Sequence, residues 1–236
     1  VGTDTFLSAM GQAFFSMSLG MGSIMAYGAY MPKEQEIVST SFSVGSLDTL
    51  VAILAGLAIF PIIFAFNLEP GSGPGLVFVS LLSAFNQMEF GQLIGPIFFI
   101  LLSIAALSSS ISILEPGVAY LAEEEFLTRK QSAIVISILC WVIGIGTATG
   151  FNIFSVVDSS GESINPFLNT MELISVQILQ PLGGMLIAIF IGWFMNESLI
   201  KNEIPQINPF LYSIWRFFIK YVAPLSVAFI FISQII

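Results

Sequence analysis

The sequence has no histidine, one cysteine and few charged residues, and each shortage excludes a class of protein. Without histidine the chain lacks the commonest general base and metal ligand. Cys140 alone allows neither a disulfide within the chain nor a thiolate metal cluster. Charged residues make up 9% of the chain and hydrophobic residues 56%, whereas about a quarter of a soluble domain is charged. Because so few charges cannot cover a water-facing surface, the chain is predicted to lie mainly in lipid.

Long apolar stretches predict an all-α membrane protein with one membrane domain over residues 1–236. A helix needs roughly 20 largely apolar residues to cross the hydrocarbon core. Six spans are predicted, at about residues 6–31, 48–69, 96–122, 131–150, 167–196 and 210–236. No basic segment precedes an apolar core, so we expect no signal peptide. Because a span follows Val1 almost at once, we expect the chain to be cut from a larger protein.

A further apolar stretch, at about residues 75–90, is too short to cross the membrane. Its apolar residues share one helical face, which favours an external lid or re-entrant helix. These residues are Phe78, Leu81, Leu82 and Phe85. The alternative is a loop that lies on the surface.

All six basic residues fall in alternate connections between the predicted spans. They are Lys33, Arg129, Lys130, Lys201, Arg216 and Lys220. The connections at 69–95 and 151–167 hold none. Since cytoplasmic loops are enriched in Lys and Arg, the pattern predicts a multi-pass protein of the cell membrane with both ends of the chain outside and the basic loops in the cytoplasm.

The first predicted span is rich in glycine and serine. Within residues 14–22, Ser16, Ser18, Gly20 and Gly22 fall near mid-membrane. Glycine costs a helix about 1 kcal/mol relative to alanine, so one interpretation is a break near Ser18–Gly20. A break would free backbone groups, which are tolerated in lipid only where they face protein or a cavity. The other interpretation, which glycine content alone favours, is close packing of an unbroken helix through small residues.

The third predicted span contains four serines within residues 108–112. The hydroxyls of Ser108 and Ser109, with the carbonyl of Ala105, offer three oxygens to a small hard cation. The alternative is that each serine hydroxyl bonds back to its own helix.

Acidic residues lie within or beside the predicted spans. Asp48 is placed at the start of the second span, Glu115 near the end of the third, and Glu172 at the start of the fifth. Intramembrane acids indicate function by default, although Asp48 could serve only as a helix N-cap. Glu123 belongs to an acidic run, and most of such a run is simply solvated.

Two of these motifs resemble the neurotransmitter:sodium symporter family, and most closely its bacterial amino-acid transporters. Residues 11–22, GQAFFSMSLGMG, resemble that family's broken sixth helix, and residues 107–110, LSSS, its eighth. The resemblance runs nearly end to end, from the sixth helix to the eleventh. It implies the second inverted repeat, plus one further helix, of the leucine-transporter-like fold, with the first helix broken at mid-membrane.

The resemblance also implies roles for individual residues. Sodium ligands would be Ser16, Asp48, Ala105, Ser108 and Ser109. The substrate would meet Phe15, Ser18, Leu19, Gly20, Met21, Ser109 and Ile113. Gate residues would be Phe15, Glu172, Glu123 and Tyr30, with Phe15 over the substrate, Glu172 outside, Glu123 inside and Tyr30 supporting Glu123. The chain would then bring sodium and an apolar or aromatic amino acid into the cell.

The sequence departs from the family at Asp48, where an asparagine is usual. A fixed carboxylate could replace the chloride that some relatives need, and Ala52 offers no hydroxyl to that anion, so chloride-independent transport is predicted. The resemblance also implies a missing N-terminal five-helix half, without which the chain should not transport. The bilayer and a small amino acid are the other expected partners, and no nucleic acid is expected.

Two other classes of function fit the sequence less well. A channel or a non-transporting helix-bundle scaffold would show polar residues along several spans, whereas here they concentrate at one depth in two spans. An intramembrane enzyme would need a catalytic pair, and the spans contain no histidine and no convincing Ser–Lys or Asp–Asp pair. No enzyme activity is expected.

Overall fold

A computed structural model describes residues 2–71, 73, 75–150, 156–157, 163–204 and 207–235, and these are almost entirely helical. The α-helices are α1 (Thr3–Ser16), α2 (Ser23–Ala29), α3 (Ile37–Ala65), α4 (Leu81–Gln87), α5 (Gly91–Glu123), α6 (Arg129–Thr149), α7 (Pro166–Glu172), α8 (Gln180–Ile189), α9 (Glu197–Glu203), α10 (Pro209–Phe217) and α11 (Ala223–Ile235). Two short antiparallel strands, β1 (Val156–Val157) and β2 (Ser163–Ile164), pair Val156 with Ile164.

Four π-helical segments interrupt or extend these helices. Leu76–Ser80 precedes α4, Leu173–Leu179 joins α7 to α8, Phe190–Phe194 follows α8, and Phe218–Val222 joins α10 to α11. In such segments the hydrogen bond runs from residue i to i+5, so the turn holds one residue more than an α-helical turn.

Five helical stretches among the described residues are long and apolar enough to cross a membrane. They are Ile37–Ala65, Gly91–Glu123, Arg129–Thr149, Pro166–Phe194 and Pro209–Ile232. The prediction of an all-α membrane protein is confirmed, whereas the total of six spans stays a prediction. The first predicted span is divided between α1 and α2, and residue 236, where the last was expected to end, lies outside the described residues.

The second span begins earlier than its hydropathy indicated. α3 starts at Ile37 rather than near residue 48, so Asp48 lies well inside the helix and is not its N-cap. The added part is rich in Ser and Thr, which lowers its hydropathy. The Ser43 hydroxyl in this part bonds back to the Ser39 carbonyl, and the Thr49 hydroxyl just after it bonds back to the Gly45 carbonyl, both at 2.9 Å.

The chain divides into two compact units, whereas one domain was expected. One comprises Val1–Val38 with Ser112–Ile236, and the other comprises Ser39–Ile111. In the second unit a short apolar helix covers Leu76–Gln87, within the range where a lid helix was expected, and its role as a lid stays a prediction. Its Phe85 ring is 4% exposed and lies 5.5 Å from the Phe98 ring, centroid to centroid. Leu81 is also buried, whereas Phe78 and Leu82 remain exposed, so half of the predicted face anchors the helix on α5.

In the first unit α8 packs mainly on α11, where Ala188, Val227 and Ile230 are buried. Side chains also bond to carbonyls of two π-helical segments: the guanidinium of Arg216 donates to the Ile191 carbonyl at 2.8 Å, and the Trp193 indole donates to the Lys220 carbonyl at 3.2 Å. These contacts hold the end of one predicted span against the start of the next.

Candidate functional site

The break in the first predicted span begins at a defined helix end. α1 closes with the N–H of Ser18 bonded to the Phe15 carbonyl at 2.9 Å and the N–H of Leu19 bonded to the Phe14 carbonyl at 3.1 Å. These two bonds, together with a left-handed residue just past the end of the helix, form a Schellman motif. The left-handed residue is Ser18, with φ of 52°. Helix α1 therefore ends in a defined C-terminal capping motif.

The residues between α1 and α2 leave backbone polar groups unused. Gly20 and Gly22 have φ of 83° and 84°, a conformation that glycine adopts without steric cost. Among the described residues, no backbone hydrogen bond uses the N–H groups of Gly20, Met21 or Gly22. The predicted break is present, with the freed backbone that the sequence indicated.

The first turn of α8 lies directly against this interrupted segment. A Cβ on Gly20 would overlap the Gln180 carbonyl oxygen and lie 2.7 Å from the Gly184 nitrogen, and one on Gly183 would overlap the Gly20 carbonyl oxygen. A Cβ on Gly184 would overlap the Phe14 ring. Gly20 and Gly183 therefore allow backbone to meet backbone at the break, and Gly184 leaves room for the Phe14 ring.

Gln180, which sequence reasoning missed, adds a side-chain contact. The residue is 3% exposed, and its amide Nε2 donates to the Phe14 carbonyl at 3.3 Å. Its Oε1 is buried and has no hydrogen-bond partner within the described part of the chain. The sequence signal was a glutamine next to Pro181 and a Gly-Gly pair inside an apolar stretch.

After the break, α2 is joined to the C-terminal part of α5 by Tyr27 and by Tyr30, which caps its C-terminal end. The Tyr27 hydroxyl is hydrogen-bonded to the Ser112 hydroxyl, and the Tyr30 hydroxyl donates to Glu115 at 2.9 Å. A Cβ on Gly22 would lie 3.3 Å from Pro116. Two polar contacts therefore hold α2 against α5, and the residues that make them are three positions apart along each of the two segments.

Glu115 is the acid whose partner the sequence left open. Its carboxylate accepts a hydrogen bond from Arg129 at 2.6 Å, and Arg129 also donates to the Tyr30 hydroxyl at 3.0 Å. The guanidinium carbon of Arg129 lies 5.6 Å from the centre of the Tyr30 ring. Tyr30 was expected to support Glu123, but no hydrogen bond between these two residues is found in the described part of the chain.

The part of α5 that contains Ala105, Ser108 and Ser109 belongs to the other unit. The Ser108 hydroxyl donates to the Ala105 carbonyl and the Ser110 hydroxyl to the Ala106 carbonyl, both at 2.8 Å. The back-bonding alternative therefore occurs. It also places two of the three predicted ligand oxygens, Ser108 Oγ and the Ala105 carbonyl oxygen, 2.8 Å apart.

The remaining predicted residues lie at intermediate or exposed positions. Asp48 is half-buried in α3. The side chains of Phe15, Leu19 and Ile113 are 45%, 36% and 50% exposed. The other exposed residues are Ser109, Ser16, Glu123 and Glu172, of which the last three are the final residues of α1, α5 and α7. No group of three or more His, Cys, Asp or Glu able to hold a metal occurs among the described residues. Oxygen atoms of hydroxyls, carbonyls and single carboxylates are what this chain offers to an ion.

The chain is similar to known sodium-dependent transporters. The family model described as "Sodium:neurotransmitter symporter family" matches residues 2–236. An uncharacterized sodium-dependent transporter of Haemophilus influenzae is 34% identical over 231 residues, which cover 98% of this chain and 50% of that protein. The uncharacterized sodium-dependent transporter YhdH of Bacillus subtilis is 30% identical over 236 residues, covering 98% of this chain and 51% of its own.

A solved structure is also similar. The crystal structure of MhsT in complex with L-phenylalanine matches with a TM-score of 0.84 and 38% identity, covering 97% of this chain and 51% of that one. The chain spans about half the length of the curated relatives it matches.

Proposed function

Because the chain belongs to the sodium:neurotransmitter symporter family, we propose that it forms the second half of a sodium-coupled symporter that carries an amino acid into the cell. Sodium is the coupled ion, and the bilayer is the surrounding solvent. The N-terminal five helices of the same transporter complete the site. The observation that carries the proposal is the interrupted segment between α1 and α2, whose freed backbone N–H and C=O groups can bind an amino acid's carboxylate and ammonium.

In this proposal the serine-rich part of α5 holds one sodium ion. Ala105, Ser108 and Ser109 supply neutral oxygens, and the existing bond between Ser108 and Ala105 keeps two of them together. Ser16 and Asp48 are ligands of another sodium on the strength of the resemblance alone. Hard cations bind such oxygen ligands.

The substrate is an apolar or aromatic amino acid. Phe15, Met21 and Ile113 would surround its side chain, Ser18, Leu19, Gly20 and Ser109 would meet the rest, and the flexible thioether of methionine adapts to several shapes. The similar MhsT structure is a complex with L-phenylalanine, which supports this choice. Glu172 and Glu123 are proposed as the outer and inner gate acids, with Phe15 over the substrate and Tyr30 near the inner side.

The proposal is tested on the complete transporter in detergent or proteoliposomes. Binding of each labelled proteinogenic L-amino acid is measured with sodium and with potassium in its place. Sodium should strengthen the binding of at least one apolar amino acid. Ser109→Ala should lose this effect, whereas the neighbouring Ser110→Ala should keep it, because Ser110 is not among the proposed sodium ligands and its hydroxyl bonds to the Ala106 carbonyl. If sodium changes the binding of no amino acid, the symporter proposal is wrong and a channel or scaffold is favoured.

Chloride independence is proposed from Asp48, whose carboxylate supplies a fixed negative charge in α3. Replacing chloride by gluconate should leave uptake unchanged in the wild type. Asp48→Asn should reduce uptake, and added chloride should not restore it because Ala52 provides no hydroxyl. A strong loss of wild-type uptake in gluconate would contradict the idea.

A further inference from the structure

The end of α1 is held from outside by a buried side chain. The Phe14 carbonyl accepts the N–H of Leu19, which closes the helix, and also the amide of Gln180 from the first turn of α8. Gln180 thus bonds to the very group that defines where the helix stops. None of the residues assigned to substrate or sodium above lies on α8.

The contact is fixed in position because backbone atoms surround it. Gly20 lies against the Gln180 carbonyl and the Gly184 nitrogen, and Gly183 lies against the Gly20 carbonyl. A close contact between backbones leaves little room for sliding, since tightly packed interiors have few voids. The amide of Gln180 therefore restrains the position of the interrupted segment relative to α8.

Half of the Gln180 amide is unused in this structure. Oε1 is buried without a partner among the described residues, and a buried acceptor that makes no hydrogen bond is destabilising. An apolar side chain of the same length would avoid that penalty. The interrupted segment meanwhile has backbone N–H groups, at Gly20, Met21 and Gly22, that no backbone acceptor in the described residues uses.

We propose that Gln180 is a positioning residue for substrate binding: its Nε2 holds the end of α1, and its Oε1 accepts a hydrogen bond from the interrupted segment when the site closes on substrate and sodium. The inference rests on the proposed symport function. It makes α8 part of the apparatus that sets substrate affinity, through the backbone of residues 14–22 and without contact to the substrate.

The test uses the complete transporter and the same panel of labelled amino acids. Gln180→Met keeps the length and removes both hydrogen-bonding groups. Its substrate Kd should rise about tenfold, as expected for one or two lost hydrogen bonds, and its half-saturating sodium concentration should rise as well. Gln177→Met, one turn earlier in the π-helical segment Leu173–Leu179, is the matched control and should behave as the wild type.

Gln180→Glu gives a second test within one folded protein. Protonated, the carboxyl group has one O–H donor and one carbonyl acceptor, like the amide; ionised, it has acceptors only. Substrate binding by this variant should approach the wild-type affinity at acid pH and weaken as pH rises, with a steeper pH dependence than the wild type.

The outcomes separate the two proposals. If the wild type shows sodium-dependent binding and Gln180→Met has the same Kd and the same sodium dependence, the inference about Gln180 is overturned while symport stands. A lower melting temperature of Gln180→Met with unchanged affinity overturns it equally, because the role would be structural only. If Gln180→Met does not accumulate, the pH profile of Gln180→Glu decides, and a profile parallel to the wild type overturns the inference. Absence of sodium-dependent binding in the wild type is a failure of the symport proposal instead.

Discussion

Gly20→Ala should damage the interrupted segment more than any other single methyl group added there. The left-handed backbone at φ of 83° costs a residue with a Cβ roughly 1–2 kcal/mol. The new Cβ would overlap the Gln180 carbonyl and lie 2.7 Å from the Gly184 nitrogen. Both are backbone atoms and cannot rotate away, so overpacking adds about 1–3 kcal/mol. The expected loss is therefore about 2–5 kcal/mol, enough to depopulate the interrupted conformation.

Gly28→Ala provides the control, since Gly28 lies within α2 and a Cβ there would meet nothing within 4 Å. This change should stabilise the protein slightly, because alanine is favoured over glycine in a helix by about 1 kcal/mol. For both variants, two quantities are measured on the complete transporter: its melting temperature in detergent and its sodium-dependent substrate binding. If Gly20→Ala melts and binds like Gly28→Ala, the backbone contact with α8 does not determine the site.

Three further predictions concern the contacts around the site. Ser18→Gly should not lower the melting temperature, because glycine takes a left-handed backbone without the Cβ cost that serine bears, whereas Ser18→Val should lower the stability by up to about 1 kcal/mol, because a β-branched residue resists that backbone more than serine does; equal melting of the two would contradict the Schellman geometry. A double-mutant cycle of Glu115→Gln and Arg129→Gln should give a coupling of up to about 1 kcal/mol that shrinks in high salt, since the Arg129 side chain is 58% exposed; a coupling of zero at low salt would show that the pair is incidental. Trp193→Phe should cost about 1 kcal/mol through its lost indole hydrogen bond, while the 69% exposed Trp141 should tolerate the same change.

Local composition left two interpretations of this segment open, a break and close packing of an unbroken helix, and the resemblance to the family's broken sixth helix pointed to the break. Ser18, Gly20 and Gly22 are the three residues that adopt positive φ there, and low helix propensity marks such a weakness without deciding between the two interpretations. The partner of the break could not be predicted in the same way. Gln180 lies in an apolar stretch that hydropathy treats as one span, and a buried amide has no periodic signal that reveals which distant carbonyl it binds.

Hydropathy also misplaced the start of α3. Its first turns carry serines and threonines whose hydroxyls bond back within the helix, as Ser43 does to Ser39, so polar composition did not prevent helix formation there. Likewise, back-bonding and cation binding by Ser108 do not exclude each other, because a serine that bonds to Ala105 can still present its oxygen outward. Whether a serine in a helix only bonds back to its own carbonyl or also binds a cation depends on side-chain geometry, which composition does not reveal.

The π-helical segments change how the C-terminal spans should be compared with a regular helix. Each residue advances an α-helix by about 100°, so a turn with one additional residue rotates everything downstream by about that angle. A helical wheel drawn through residues 166–194 would therefore assign the wrong side to the residues after Leu173–Leu179. Cysteine labelling or cross-linking plans for these spans should be phased separately on each side of every such turn.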